Sequence, residues 1–102
     1  MDRIAMLTEV LAENPGDAFA RYGLAMEHSK AGQTEAALAE FSKLLAQHPD
    51  YTAGYFMAAQ TLAAASRTGE ARTMLKDGIA SAVRTGNQHA QSEMEAMLAE
   101  LG

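Results

Sequence analysis

The sequence contains no cysteine and no tryptophan, only two prolines, and three each of phenylalanine and tyrosine in 102 residues. Without cysteine there is no disulfide framework, no thiolate zinc site and no cysteine nucleophile, a usage that suits a cytosolic chain. Basic residues are few and scattered. Arg3, Arg21, Lys30, Lys43, Arg67, Arg72, Lys76 and Arg84 stand singly against 13 acids, for a net charge of −5. Nucleic-acid binding needs a basic footprint that displaces counterions, and none is present. A basic membrane-surface helix is excluded on the same ground. Long apolar runs are missing as well: the longest, Ala53 to Ala65, is interrupted by Gln60 and Thr61 and falls short of the roughly 20 residues that span a bilayer. Met1-Asp2-Arg3 leads directly into an amphipathic pattern, without the apolar core of a signal peptide. The expectation is a soluble, cytoplasmic protein with no membrane and no nucleic-acid partner.

Motifs that carry chemistry are absent too. His28, His48 and His89 are far apart, whereas zinc ligands on a helix stand one turn apart. Glu93 and Glu95 are two residues apart and point to different faces of a helix, which does not make a paired-carboxylate site. Gly16, Gly23 and Gly32 are isolated and form no phosphate loop, and Ser29, Ser42, Ser66, Ser81 and Ser92 lack the flanking glycines of a nucleophile elbow. The expectation is therefore no enzyme, no cofactor and no bound metal.

What the sequence does have is apolar residues (48%), with alanine dense between positions 18 and 65. Alanine loses no side-chain entropy on entering a helix. A chain of this length makes one domain and buries about two thirds of its unfolded surface. The chain is also periodic. Pro15 and Pro49 are 34 residues apart, and the same shift places Leu7 over Phe41 and Leu75, Leu11 over Leu45 and Ile79, and Leu24-Ala25 over Ala58-Ala59. Within each unit the apolar spacing is helical, as in Leu7, Val10, Leu11 and in Phe41, Leu44, Leu45. Gly32 is placed to close a helix in the left-handed conformation, Pro49 stops one, and Gly86 ends another. Thr34, Thr68 and Asn87 are placed to cap the helices that follow. The pattern predicts six helices, near 2–13, 18–31, 34–47, 52–65, 69–85 and 88–101.

The stretch Ala18–Tyr51 resembles a tetratricopeptide repeat through Leu24, Ala25, Gly32, Ala37, Phe41 and Pro49. A second stretch, 52–85, matches through Tyr55, Ala58, Ala59, Ala71 and Leu75, and residues 2–15 look like the second helix of a truncated preceding unit. The resemblance implies a single all-α domain, a right-handed α-solenoid of antiparallel helix pairs. It is divided into a half repeat (2–15), two repeats (18–51 and 52–85) and a C-terminal capping helix (87–102). The sequence departs from the family at Arg21, where a large aromatic is favoured, at His28, at Ser66 in the turn-glycine position, and at Val83 in place of proline. The last departure suggests a helix that runs on to Thr85. After Gly86 the match is poor, and the segment reads as a solvating cap with Ala90, Met94, Met97, Leu98 and Leu101 on its apolar stripe.

The resemblance also implies that the first helix of each pair lines a concave groove. The candidate groove residues are then Phe19, Tyr22, Met26, Ser29 and Lys30, with Ala53, Phe56, Gln60, Ala63 and Ala64 from the next unit. Independently, Phe19, Tyr22 and Met26 share one helical face. One subclass of the family clamps acidic peptide C-termini with lysine, arginine and asparagine. The corresponding places here hold Tyr22, Met26, Ala53 and Met57, and carboxylate recognition needs cations. The function expected is a non-catalytic interaction module that binds a peptide or helix of another protein in this groove. The alternative is a structural module for homo-oligomerisation. Against the groove reading stands the possibility that Phe19 and Tyr22 pack beneath the first helix or the cap.

Overall fold

The computed structural model describes residues 2–102. Six helices follow one another: α1 (Arg3–Glu13), α2 (Ala18–Lys30), α3 (Thr34–Gln47), α4 (Thr52–Ala64), α5 (Thr68–Thr85) and α6 (Gln88–Leu101). No strand occurs among the described residues. Among the described residues no helix is long and apolar enough to cross a membrane.

The helix ends follow from local chemistry. Asp2, Asp17 and Asn87 each accept a hydrogen bond from a first-turn N–H, as Asp17 Oδ1 does from the Ala20 amide at 3.0 Å, relieving donors the helix leaves unpaired. Thr34 and Thr68 do not cap. They are the first helical residues, and the cap positions fall one residue earlier on Gln33 and Arg67, with no side-chain hydrogen bond. The cause is the turn before them. Gly32 and Ser66 are left-handed, at φ 75° and 62°. The next N–H then closes back on the helix just ended, Gln33 N to His28 O and Arg67 N to Leu62 O, both at 2.9 Å. This reversal delivers the chain into the new helix with no residue to spare. Gly86 repeats the arrangement at φ 68°, with Asn87 N bonded to Ala82 O.

Small residues set how closely the helices pack. Ala25, Ala37, Ala58, Ala59, Ala71 and Ala82 have no exposed surface, and Phe41, Leu44, Leu75 and Met94 fill the spaces between them. One cluster (Ala25, Ala37, Phe41, Leu44, Ala58) joins α2, α3 and α4. A second (Tyr55, Ala59, Leu75, Ala82, Met94) joins α4, α5 and α6, and a third (Leu11, Ala20, Leu24) joins α1 to α2. Each large side chain so buried contributes about 1.5–3 kcal/mol. Gly78 marks the tightest point: a Cβ there would lie 2.5 Å from Met94 Sδ and 2.6 Å from Tyr55 Cβ.

Arg21 is buried despite its charge. Its Nη1 bonds Glu40 Oε1 at 2.6 Å and its Nη2 bonds the Pro15 carbonyl at 3.1 Å, so the guanidinium ties α2 to α3 and to the preceding turn. Its stem covers surface in place of the aromatic ring that the family resemblance implies here.

The helices form two layers. The traces of α2, α4 and α6 approach one another in succession, whereas α1, α3 and α5 do not approach one another. The outer layer is splayed and the inner one closed, so the inner side is concave. Helix α5 has 18 residues against 14 in α3, and the connection after it is correspondingly shorter. The caps Asp17 and Tyr51 are therefore 34 residues apart, but Tyr51 and Asn87 are 36 apart. With this slip Met94 takes the place beside α5 that Ala58 takes beside α3, both fully buried.

Among the described non-glycine residues, only Ser66 is left-handed, a conformation that disfavours a side chain by about 1–2 kcal/mol. Ser66→Gly should stabilise the fold by about 1 kcal/mol and Gly32→Ala should destabilise it by a similar amount, read as opposite shifts of the urea midpoint at unchanged slope.

Candidate functional site

The concave face is built from α2, α4 and α6, and it divides the residues singled out from the sequence into three groups. Phe19 is 78% exposed; it packs neither under α1 nor under α6. Lys30, Ala53, Gln60 and Ala64 are exposed as well. Tyr22, Met26 and Phe56 are half-buried. Tyr22 and Met26 pack on the cluster around Phe41, and Phe56 packs on the cluster around Leu75. Ser29 is committed to structure, since its hydroxyl shares a 2.9 Å hydrogen bond with Thr61 that fastens α2 to α4. The half-buried Ala63 completes the α4 set.

Two hollows lie along this face, and Gln60 borders both. The first, about 380 Å³, is lined by Ser29, Thr34, Met57, Thr61 and Ala64 among others. The second, about 450 Å³, lies between α4 and α6 and brings Phe56 and Gln60 together with Glu93, Ala96, Met97 and Glu100. Neither hollow is lined by Phe19, Tyr22, Met26 or Lys30. The four α6 residues are not among the candidates named from the sequence. Helix α6 does close the core, through Met94, and it also stands as a third inner helix. The signal that reveals this is the spacing of the caps: sliding α6 by two residues from the 34-residue register superimposes it on α4.

Electrostatically the face is uneven. Lys30 stands at the α2 end, its Nζ 3.4 Å from Glu27 Oε2. At the α6 end Glu93 and Glu100 flank the apolar floor of Phe56 and Met97, and no lysine or arginine lines that hollow. Glu93 Oε1 lies 3.0 Å from His89 Nε2 on the exposed side of α6. The remaining histidines serve the turns: His28 Nδ1 donates to Gln33 Oε1 at 2.7 Å, and His48 Nε2 donates to the Gly16 carbonyl at 3.1 Å.

A further cleft of about 410 Å³ opens on the convex side, where α3 and α5 splay. Phe41, Leu45 and Met74 contribute to its apolar lining, with Arg67 on its rim. Arg67 bonds Glu35 on α3 and Glu70 on α5. These hydrogen bonds hold its guanidinium protonated well beyond the ordinary range and lower the carboxyl of Glu70. The cation is thus already engaged within the chain and bridges the splayed helices.

Tyr22 and Tyr51 stack with ring centroids 5.3 Å apart and planes tilted by 45°. Burial pushes both phenols above their ordinary value of 10.0, and each is raised further by a neighbouring negative charge, Tyr51 for Tyr22 and Asp17 for Tyr51. Because the folded phenol is the weaker acid, its contribution to stability is fully present below pH 10.0 and is lost as pH rises through the folded value. Urea midpoints measured against pH should fall above pH 10, and the fall should be smaller in a Tyr22→Phe/Tyr51→Phe variant, with tyrosinate absorbance appearing later in the folded chain than in urea.

Comparison with known proteins agrees with this architecture. The family model described as tetratricopeptide repeat matches residues 28–101. A TPR repeat-containing protein of Pseudomonas aeruginosa is 30% identical over 95 residues, covering 93% of this chain and 90% of that protein. The solution structure of a tetratricopeptide repeat domain protein from Salinibacter ruber is 33% identical, with a TM-score of 0.80 over 86% of this chain and 89% of that one. The TPR2B domain of yeast Sti1, in its complex with pHsp70, shares the fold at 18% identity, with a TM-score of 0.89 over 96% of this chain and 78% of that one. Six helices in two layers, alanine seams at a 34-residue interval and these matches agree: the chain belongs to the tetratricopeptide repeat family.

Proposed function

We propose that this chain is a non-catalytic module whose concave face receives a peptide or helix of a partner protein, in a cytoplasmic setting. In this reading residues 2–15 are a half repeat, 18–51 and 52–85 are the two full repeats, and 87–102 is the terminal helix that closes the core and completes the face. Phe19 carries the proposal. A phenylalanine 78% exposed on the same helix as the half-buried Tyr22 and Met26 supplies contact area that the fold itself does not use. Aromatic side chains of this kind dominate binding energetics at interfaces.

The chemistry of the face narrows the ligand. The Sti1 domain bound to pHsp70 has the same fold, which favours a protein or peptide partner here. The positions for clamping a carboxylate, however, hold Tyr22, Met26, Ala53 and Met57. Glu93 and Glu100 at the α6 end add negative charge. An acidic C-terminus finds no cation in that hollow to neutralise it. The ligand that fits is an amphipathic or apolar segment that lays an apolar side chain on Phe56 and Met97 and carries neutral or basic groups beside them.

Selection of a displayed random-peptide library on the protein tests this reading. Selected peptides should be apolar with basic rather than acidic flanks, and Phe19→Ala should weaken them by about 2 kcal/mol, roughly thirtyfold. Amide shifts on binding should concentrate on α2, α4 and α6. Shifts confined to the cleft between α3 and α5, with Phe19→Ala neutral, would refute it.

A further inference from the structure

One flank of α1 has the form of a helix seam, yet no described helix lies on it. A shift of 34 residues places Arg3, Met6 and Val10 over Ala37, Glu40 and Leu44. On α3 that stripe is buried: Ala37 and Leu44 have no exposed surface, Leu44 lies beside Gly54 of α4, and Glu40 receives the guanidinium of Arg21 on α2. On α1 the equivalent place is empty among the described residues, and Met6 and Val10 are each 38% exposed. Glu13, also exposed, extends the stripe. Positions 3, 6, 10 and 13 alternate by three and four residues, the spacing of a helix–helix seam.

The stripe is its own complement when reversed. A two-fold axis at the height of Thr8 sets Arg3 against Glu13 of a second copy and Met6 against Val10 of that copy, and each pairing occurs twice. We propose that α1 is a self-association surface, pairing antiparallel with α1 of a second copy about this axis. Each α1 then takes the place against its partner that α2 takes against α3, and a two-fold interface needs such self-matching. Arg3 already lies 3.5 Å from Glu27 through its Nε, but its side chain is 59% exposed, which leaves the outer edge of the guanidinium open. Glu13 belongs to no ion pair among the described residues. An eleven-residue helix is only about 16 Å long. The contact it makes is smaller than a standard interface, so the dimer is weak, with a dissociation constant in the micromolar range or above. The concave face remains free on the far side of each copy's α2, so this assignment stands independently of the peptide-binding reading.

Sedimentation equilibrium of the whole chain from roughly 10 µM to 1 mM tests the proposal, with circular dichroism as the folding control. The native chain should pass from monomer to dimer across that range. Glu13→Arg makes both charge pairs repulsive and should weaken association about tenfold or more; Arg3→Glu should do the same. The double exchange Arg3→Glu/Glu13→Arg should restore association to within about threefold of the native value. A monomer at every concentration would overturn the proposal, as would a dimer indifferent to Glu13→Arg or a double exchange that stays monomeric with native helix content.

Discussion

The close approach of paired helices through side chains no larger than a methyl group is the constraint on which the rest of this structure depends. Ala25 and Ala37 bring α2 against α3, and Ala59 and Ala71 bring α4 against α5. At that separation one bulky residue per seam, Phe41 or Leu75, fills the remaining volume. Protein interiors tolerate neither voids nor overlap. Spacing and filler are therefore fixed together, and the 34-residue interval repeats both.

The two-layered shape follows. The inner helices touch in succession while the outer helices splay, and longer residues such as Leu45 and Met74 line the space between the outer ones. The splay opens the convex cleft that Arg67 spans with Glu35 and Glu70. Closure of the inner layer brings Gln60 to the border of both concave hollows. The extra turn of α5, made possible where valine replaces the family's proline at position 83, shortens the next connection and turns Met94 into the core. The side chains presented at the α6 end of the concave face are thus a consequence of helix length elsewhere.

Much of this is legible in the residues themselves. The 34-residue register, the left-handed turn at Gly32, the helix end at Gly86, the alanine seams and the filler roles of Phe41 and Leu75 all follow from pattern and size. Other features lie beyond one-dimensional reading. Phe19 and Tyr22 share a helical face, yet only the position of α4 decides that Tyr22 stacks on Tyr51 while Phe19 stays in solvent. Thr34 has the chemistry of a cap, but the reversal at Gly32 moves the cap one residue earlier. The α6 contribution to the concave face is concealed by a two-residue slip that a fixed period cannot follow. Arg21, a charge at an apolar position, is understood only once Glu40 and the Pro15 carbonyl stand around its guanidinium.

The seam is tested most directly by enlarging it. Chemical denaturation of Ala37→Met and Ala71→Met, which have no exposed surface, against Ala39→Met and Ala80→Met on the open faces of the same two helices, compares the same added side chain in the two environments. The account predicts losses of about 2 kcal/mol or more for the first pair and changes within about 0.5 kcal/mol for the second. Equal effects at all four positions would contradict it.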